Sequence, residues 1–160
     1  MKLLIISDLH MIIPEIPEII KEYGEKCDYI ICAGDYTSER TLNAVKKLNE
    51  NNICVKGNCD SLELPEYIET KLLNYKIGVI HSSQFGRGNM EGLYKFAKLK
   101  NLDVIIFGHT HKPLIKKIGN ILLINPGTLS GAIRNSYRYF SICRILRNLY
   151  GFAKKEKNKC

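Results

Sequence analysis

Every histidine of this chain, His10, His81, His109 and His111, falls just past an apolar run that reads as a β-strand. Strand ends are where an α/β protein gathers side chains from distant parts of its sequence, and histidine is a common nitrogen ligand for transition metals. The pattern demands a sheet architecture whose strands finish along one shared edge, with the polar residues collected there.

The rest of the chain supplies such strands. Residues 3–6 are continuously apolar and predict a buried strand, followed by a helix over 16–23 opened by Pro14 or Pro17 and stopped by Gly24. A strand over 28–33, a helix opened by Ser38 and carrying Leu42, Val45 and Leu48, and a strand over 53–55 complete a β-α-β-α-β order, hence a parallel sheet. The rhythm then changes. Residues 67–73 and 75–80, separated only by Asn74, predict an antiparallel hairpin, and 88–100 an amphipathic helix. Strands follow over 104–107, 114–118, 121–124 and 137–145, while 146–155 fit either a last strand or a short helix.

A length of 160 residues predicts one domain that needs no disulfide staples. The N-terminal apolar run meets Ser7-Asp8-Leu9-His10 too early for a secretion signal, and no segment approaches membrane-spanning length, which predicts a cytoplasmic protein with no membrane partner. Six cysteines without a C-x-x-C pair, several inside apolar runs, fit a reducing compartment. The formal charge of +8 is uneven: residues 132–160 carry eight Lys/Arg against one acid, and the remainder 16 against 15. The chain is therefore divided into a domain over 1–153 and a basic, solvated tail over 154–160. Such a tail could contact nucleic acid, but the aromatic interleaving of a single-strand platform is missing.

Five short motifs occupy the strand ends: Asp8-Leu9-His10, Gly34-Asp35, Gly57-Asn58-Cys59-Asp60, His81-Ser82-Ser83 and Gly108-His109-Thr110-His111. Residues two apart in an extended segment point to one side, so Asp8 can cooperate with His10 and His109 with His111, on one ion or split between two. Asp35 is the carboxylate that arrives alone, and a carboxylate can give one oxygen to each of two cations; it is the expected bridge. Asn58 adds a neutral carbonyl oxygen. With only Asp8 and Asp35 as anions, two divalent ions would retain net positive charge and attract phosphate.

In this order the motifs resemble the calcineurin-like metallophosphoesterases, whose pattern is D-x-H, G-D, G-N-[HCN]-[DE], a lone His and G-H-x-H. The resemblance runs from Asp8 to His111, and Asn125-Pro126-Gly127-Thr128 extends it toward the compact bacterial and archaeal phosphodiesterase branch. It implies an α/β fold of two packed mixed sheets flanked by helices, with the site at their loop ends. It also implies two divalent metal ions, manganese first, with iron, nickel or zinc as alternatives. Asp8, His10 and His111 would hold the first ion, Asn58, His81 and His109 the second, and Asp35 both. Asp35, Asn58 and His81 are the catalytic candidates, and the implied reaction is hydrolysis of a small phosphodiester by hydroxide generated between the ions.

Two positions depart from the family. Relatives often carry a His where this chain has Cys59, and a thiol is a poor acid for the leaving oxygen; Asp60, a water or an already acidic leaving group would have to serve, or Cys59 is simply a small residue packed behind the site. Close relatives read H-G-H where this chain reads His81-Ser82-Ser83, which bears on substrate choice rather than on metal binding. Arg87, in a polar loop after His81, is a candidate for gripping a phosphate oxygen, as is Cys59 for lying against substrate; Arg40 and Arg134 are weaker candidates. Asn125-Pro126-Gly127 reads as pocket wall. The competing functions are a scaffold or binding protein on the same fold, and a nuclease using the basic tail. The oligomeric state is not legible.

Overall fold

The computed structural model describes residues 1–130, 137–145 and 149–157. Within them β1 (Lys2–Ile6), α1 (Glu18–Lys26), β2 (Tyr29–Cys32), α2 (Glu39–Leu48) and β3 (Asn52–Cys54) form the expected alternation. There follow β4 (Tyr67–Leu72), β5 (Tyr75–Ile80), α3 (Met90–Leu99), β6 (Val104–Phe107), β7 (Leu114–Ile118), β8 (Ile121–Asn125), β9 (Tyr137–Ile145) and β10 (Leu149–Lys157). One sheet has the order β10-β9-β1-β2-β3, the other β4-β5-β6-β8-β7. Both are mixed: β1, β2 and β3 run parallel with β9 antiparallel to β1, and β5, β6 and β8 run parallel between antiparallel β4 and β7.

Strand periodicity makes the layers. Leu3 and Ile5 of β1, with Ile31 of β2, face Ile77, Val79, Val104 and Ile106 of the second sheet in one buried core. Their neighbours Leu4, Ile6, Ile30 and Cys32 point the other way, against Ile20 of α1 and Leu42 and Val45 of α2. On the far side of the second sheet, Ile105, Phe107 and Leu123 pack on Leu93 and Ala97 of α3. Four layers result, helix, sheet, sheet, helix. Burial on both faces explains why the central strands read as continuous apolar runs.

Helix starts follow their caps, since the Ser38 side chain accepts the Thr41 N–H and that of Asn89 accepts the Gly92 N–H. The expected stop at Gly24 is not one: α1 continues to Lys26. A Cβ on Gly24 would lie 3.1 Å from Leu48 Cβ, so the glycine lets α1 and α2 close up. The end of α1 is instead capped from outside, by Asn49 Nδ2 donating to the carbonyls of Gly24 and Cys27. Residues 149–157 resolve the open choice in favour of a strand, which crosses the boundary expected after residue 153: Lys154 pairs with Phe140 and Lys157 with Tyr137. Arg134 and residues 158–160 lie outside the described residues. Among those described, no helix is long and apolar enough to cross a membrane.

Candidate metal centre

All five motifs leave their strands at one end of the two sheets. Asp8, His10, Asp35 and Asn58 follow β1, β2 and β3 of the first sheet, while His81, His109 and His111 follow β5 and β6 of the second. Asp8 and His10 converge as expected, though not through extended backbone. Asp8, His10, Asp35, His109 and His111 have φ of 53°, 46°, 60°, 67° and 60°. For a residue with a Cβ this left-handed region costs roughly 1–2 kcal/mol, and such strain concentrates at functional sites. The turned backbone is held by hydrogen bonds between motifs: the Asp8 N–H donates to the Gly34 carbonyl and the His10 N–H to the Asp35 carbonyl.

One ligand atom each from Asp8, His10, Asp35 and His111 lie within 4.8 Å of one another. His111 Nε2 is 3.1 Å from Asp8 Oδ1 and 3.2 Å from His10 Nε2, and His10 Nε2 is 3.5 Å from Asp35 Oδ2. Asp8 is fully buried and both its oxygens face the His109 N–H at 3.1 Å. Asp35 extends the cluster sideways, with Oδ2 3.3 Å from His81 Nε2, which is itself 3.0 Å from Asn58 Oδ1. The His109 ring stands edge-on to that of His81, centroids 5.3 Å apart.

His81 shows what the cluster lacks. Its Nδ1 lies 2.7 Å from the Ala33 carbonyl, which can only accept, so Nδ1 carries the hydrogen and Nε2 of the neutral ring presents a lone pair. Three acceptor atoms then crowd together, from His81, Asp35 and Asn58. With this amide placement, a proton on Nε2 or a cation among them satisfies all three. The residues thus fit a metal, with the buried Ala33 carbonyl orienting the ring from behind. Burial pushes the His81 imidazole down, but the Asp35 hydrogen bond and the charges of Asp8 and Asp35 outweigh it, leaving it above its ordinary value. Burial alone would raise the Asp35 carboxyl; the His81 hydrogen bond and charge, with the Cys59 N–H, hold it at about 2. Burial lowers His10 and His109, despite the nearby carboxylates, and so favours the neutral rings that a metal needs.

The glycines of the motifs are spacers. A Cβ on Gly57 would run into Asp35 Oδ1 and its backbone nitrogen, and one on Gly108 into Ser7 Oγ and Asp8 Oδ2.

Cys59 is not packed behind the site. It is exposed, its N–H donates to Asp35 Oδ1 at 2.8 Å, and its Sγ accepts from Asn58 Nδ2 at 3.3 Å. Partial burial and the neighbouring Asp35 raise its pKa, so it is a neutral thiol at pH 7. Asp60 does not fit the role of acid either, because its carboxylate is committed: Oδ2 accepts from the N–H groups of Asp35 and Gly57 at 2.9 and 2.8 Å, and Oδ1 from Thr37 N–H at 2.8 Å. Arg87 reaches the rim, where Nη2 donates to the His109 carbonyl at 3.4 Å. Arg40 is exposed in the first turn of α2 and makes no bond to a motif residue among those described.

Three anchoring residues were not singled out from sequence as such: Asp60, Asn125 and Thr128. Asn125 Nδ2 donates to the Gly108 carbonyl at 2.8 Å, and Thr128 Oγ1 to the Asp8 carbonyl at 2.8 Å. The Asn125-Pro126-Gly127-Thr128 stretch therefore holds the first and last motifs in place. Its signals in the sequence are its place after the motif series and its likeness to the family's N-P-G-[ST] stretch.

A model of the calcineurin-like phosphoesterase superfamily domain matches residues 1–146. The chain is 38% identical over 127 residues to a probable metallophosphoesterase of Methanocaldococcus jannaschii, covering 78% of this chain and 66% of that relative, just under two thirds. It is 31% identical over 142 residues to a phosphodiesterase of the same organism, covering 82% and 86%. Among solved structures it resembles wild-type Vps29 of Entamoeba histolytica in complex with zinc, with a TM-score of 0.83, 26% identity and 98% of both chains covered.

Proposed function

The chain belongs to the calcineurin-like phosphoesterase superfamily, and on that premise we propose that it is a metal-dependent phosphodiesterase acting on small diesters. The observation that carries this reading is the cluster of metal-ligand atoms at the strand ends, where His81 Nε2 lies 3.3 Å from Asp35 Oδ2 and 3.0 Å from Asn58 Oδ1. Asp8, His10 and His111 would hold one divalent ion, Asn58, His81 and His109 a second, with Asp35 shared. Manganese is assigned first; iron, nickel and zinc suit the same mixed oxygen and nitrogen donors. Such ions supply Lewis acidity toward phosphate oxygens and lower the pKa of a water.

The chain's own residues do the positioning. Asp60 fixes the Asp35 and Gly57 backbones, and the Ala33 carbonyl holds His81 Nε2 toward the centre. Arg87, at the rim, is placed to donate to a phosphate oxygen. Cys59, a neutral thiol beside Asp35, is a weak proton donor, so diesters with acidic alcohols are the favoured substrates. Cys27, Cys32, Cys54 and Cys59 are free, the first three of them buried, which supports a reducing, cytoplasmic setting.

The likeness to zinc-bound Vps29, a protein named for vacuolar sorting, favours one second reading, a metal-binding scaffold without turnover. Turnover separates the two. Purified protein loaded with manganese should hydrolyse bis(p-nitrophenyl) phosphate and stop when a chelator removes the metal. A fully loaded protein that cleaves no diester refutes the enzyme reading.

A further inference from the structure

Beside Asn58 and His81 the surface opens into a cleft of about 430 Å³ whose remaining wall side chains include Lys56, Glu66, Ser83 and Gln84. Small-molecule sites begin at roughly 300 Å³, so the cleft exceeds what a phosphate group alone would fill. The Lys56 N–H donates to the Pro65 carbonyl at 2.8 Å, which ties the chain leaving β3 to the segment carrying Glu66. Ser82, at φ 81°, turns the chain after His81 into a single 3-10 turn over Ser83–Phe85 and brings Ser83 and Gln84 to the same cleft. The side chains of Lys56, Glu66, Ser83 and Gln84 make no hydrogen bond or ion pair with the described residues.

The chemistry of this wall is selective. Lys56 only donates, Glu66 only accepts, and Ser83 and Gln84 do both. An anionic group would gain from Lys56 and be opposed by Glu66, and a cationic one the reverse; the Asp60 carboxylate, also in the wall, is already taken up by three backbone N–H groups. A neutral group that both donates and accepts can pair with all four. Among the described residues no tyrosine, phenylalanine or tryptophan lines the cleft, so these offer a nucleobase or aryl ring no platform on which to stack. Resting on the phosphodiesterase reading, we propose that this cleft is the subsite for one ester arm, and that Lys56, Glu66, Ser83 and Gln84, next to Asn58 and His81, select a neutral polyhydroxylated arm such as a sugar or polyol.

The test uses the metal-loaded full chain. Steady-state surface plasmon resonance compares glycerophosphoglycerol, whose two arms are neutral polyols, with diethyl phosphate, which has the same charge and no hydroxyls. The polyol diester should bind about tenfold more tightly, the worth of one or two hydrogen bonds. Lys56→Met and Gln84→Leu should each erase most of that preference while metal content, measured in parallel, is unchanged. In turnover, the same variants should lower the kcat/KM ratio of glycerophosphoglycerol to bis(p-nitrophenyl) phosphate. Equal affinity for the two diesters in the unmodified protein, or a preference that survives both substitutions, overturns the subsite. Failure to turn over any diester while the binding preference persists would refute the enzyme reading alone.

Discussion

Asp60→Asn is the most exacting test of how this site is built. The Asp60 carboxylate is buried and accepts three backbone N–H groups at 2.8 to 2.9 Å, from Asp35, Thr37 and Gly57. An Asn can keep its oxygen on Asp35 and Gly57, but its amide NH2 must then face the Thr37 N–H, donor against donor. One hydrogen bond to a charged group is lost, worth about 1.5 to 3 kcal/mol, and the two that survive lose their charge assistance. The expected cost is about 3 kcal/mol, which in a domain of this size lowers Tm by roughly 6 to 12 °C. Urea unfolding in the presence of a chelator reads this term without a metal contribution. Because one lost increment falls on the Asp35 N–H, metal affinity should drop as well. A variant within about 0.5 kcal/mol of the parent, the range of an ordinary surface substitution, would refute the view of Asp60 as the clamp between the second and third motifs.

Three further outcomes are expected. Asp35→Ala and Asn58→Ala should each lose at least one of two bound ions by elemental analysis of the purified protein; undiminished two-ion occupancy in both would sink the ligand assignment. Cys59→His should narrow the preference for aryl over alkyl diesters, because it supplies the proton donor that the neutral thiol does not; an unchanged aryl-to-alkyl ratio would mean that the donor lies elsewhere. Metal affinity should rise with pH, because the His81 proton, held above the ordinary imidazole value by Asp35 and Asp8 despite burial, must be displaced. The slope should approach about tenfold per pH unit below that pKa and flatten above it, while Asp35, at about 2, adds no competition near neutrality. Chelator competition across this range measures the curve, and a flat profile would contradict it.

The layers and the location of the site were legible because the central strands are buried on both faces and each ends in a short polar motif, so local sequence and tertiary position coincide. What escaped is what depends on approach between distant segments. Gly24 reads as a helix stop until Leu48 is brought against it. Asp60 reads as a spare acid because its three partners are backbone groups, and N–H groups have no sequence signature. The exposure of Cys59 depends on the turn of its loop, which composition does not encode. Two-residue alternation led to the correct pairing of Asp8 with His10 for the wrong reason, since the backbone there is left-handed rather than extended. Residues 146–155 fit strand or helix alike because the place of Leu149–Lys157 beside β9 comes from the partner strand, not from an apolar period of their own.

The candidate ligands divide between the two sheets, with Asp8, His10, Asp35 and Asn58 on the first and His81, His109 and His111 on the second. An ion shared across that seam would be a cross-link that can be withdrawn. Separating the sheets would require its bonds to break first, so the lifetime of the folded chain would be set by the residence time of the metal as much as by the apolar core between the sheets. A protease or an unfolding machine that pulls on the loaded protein would then meet a barrier whose height depends on which ion is bound.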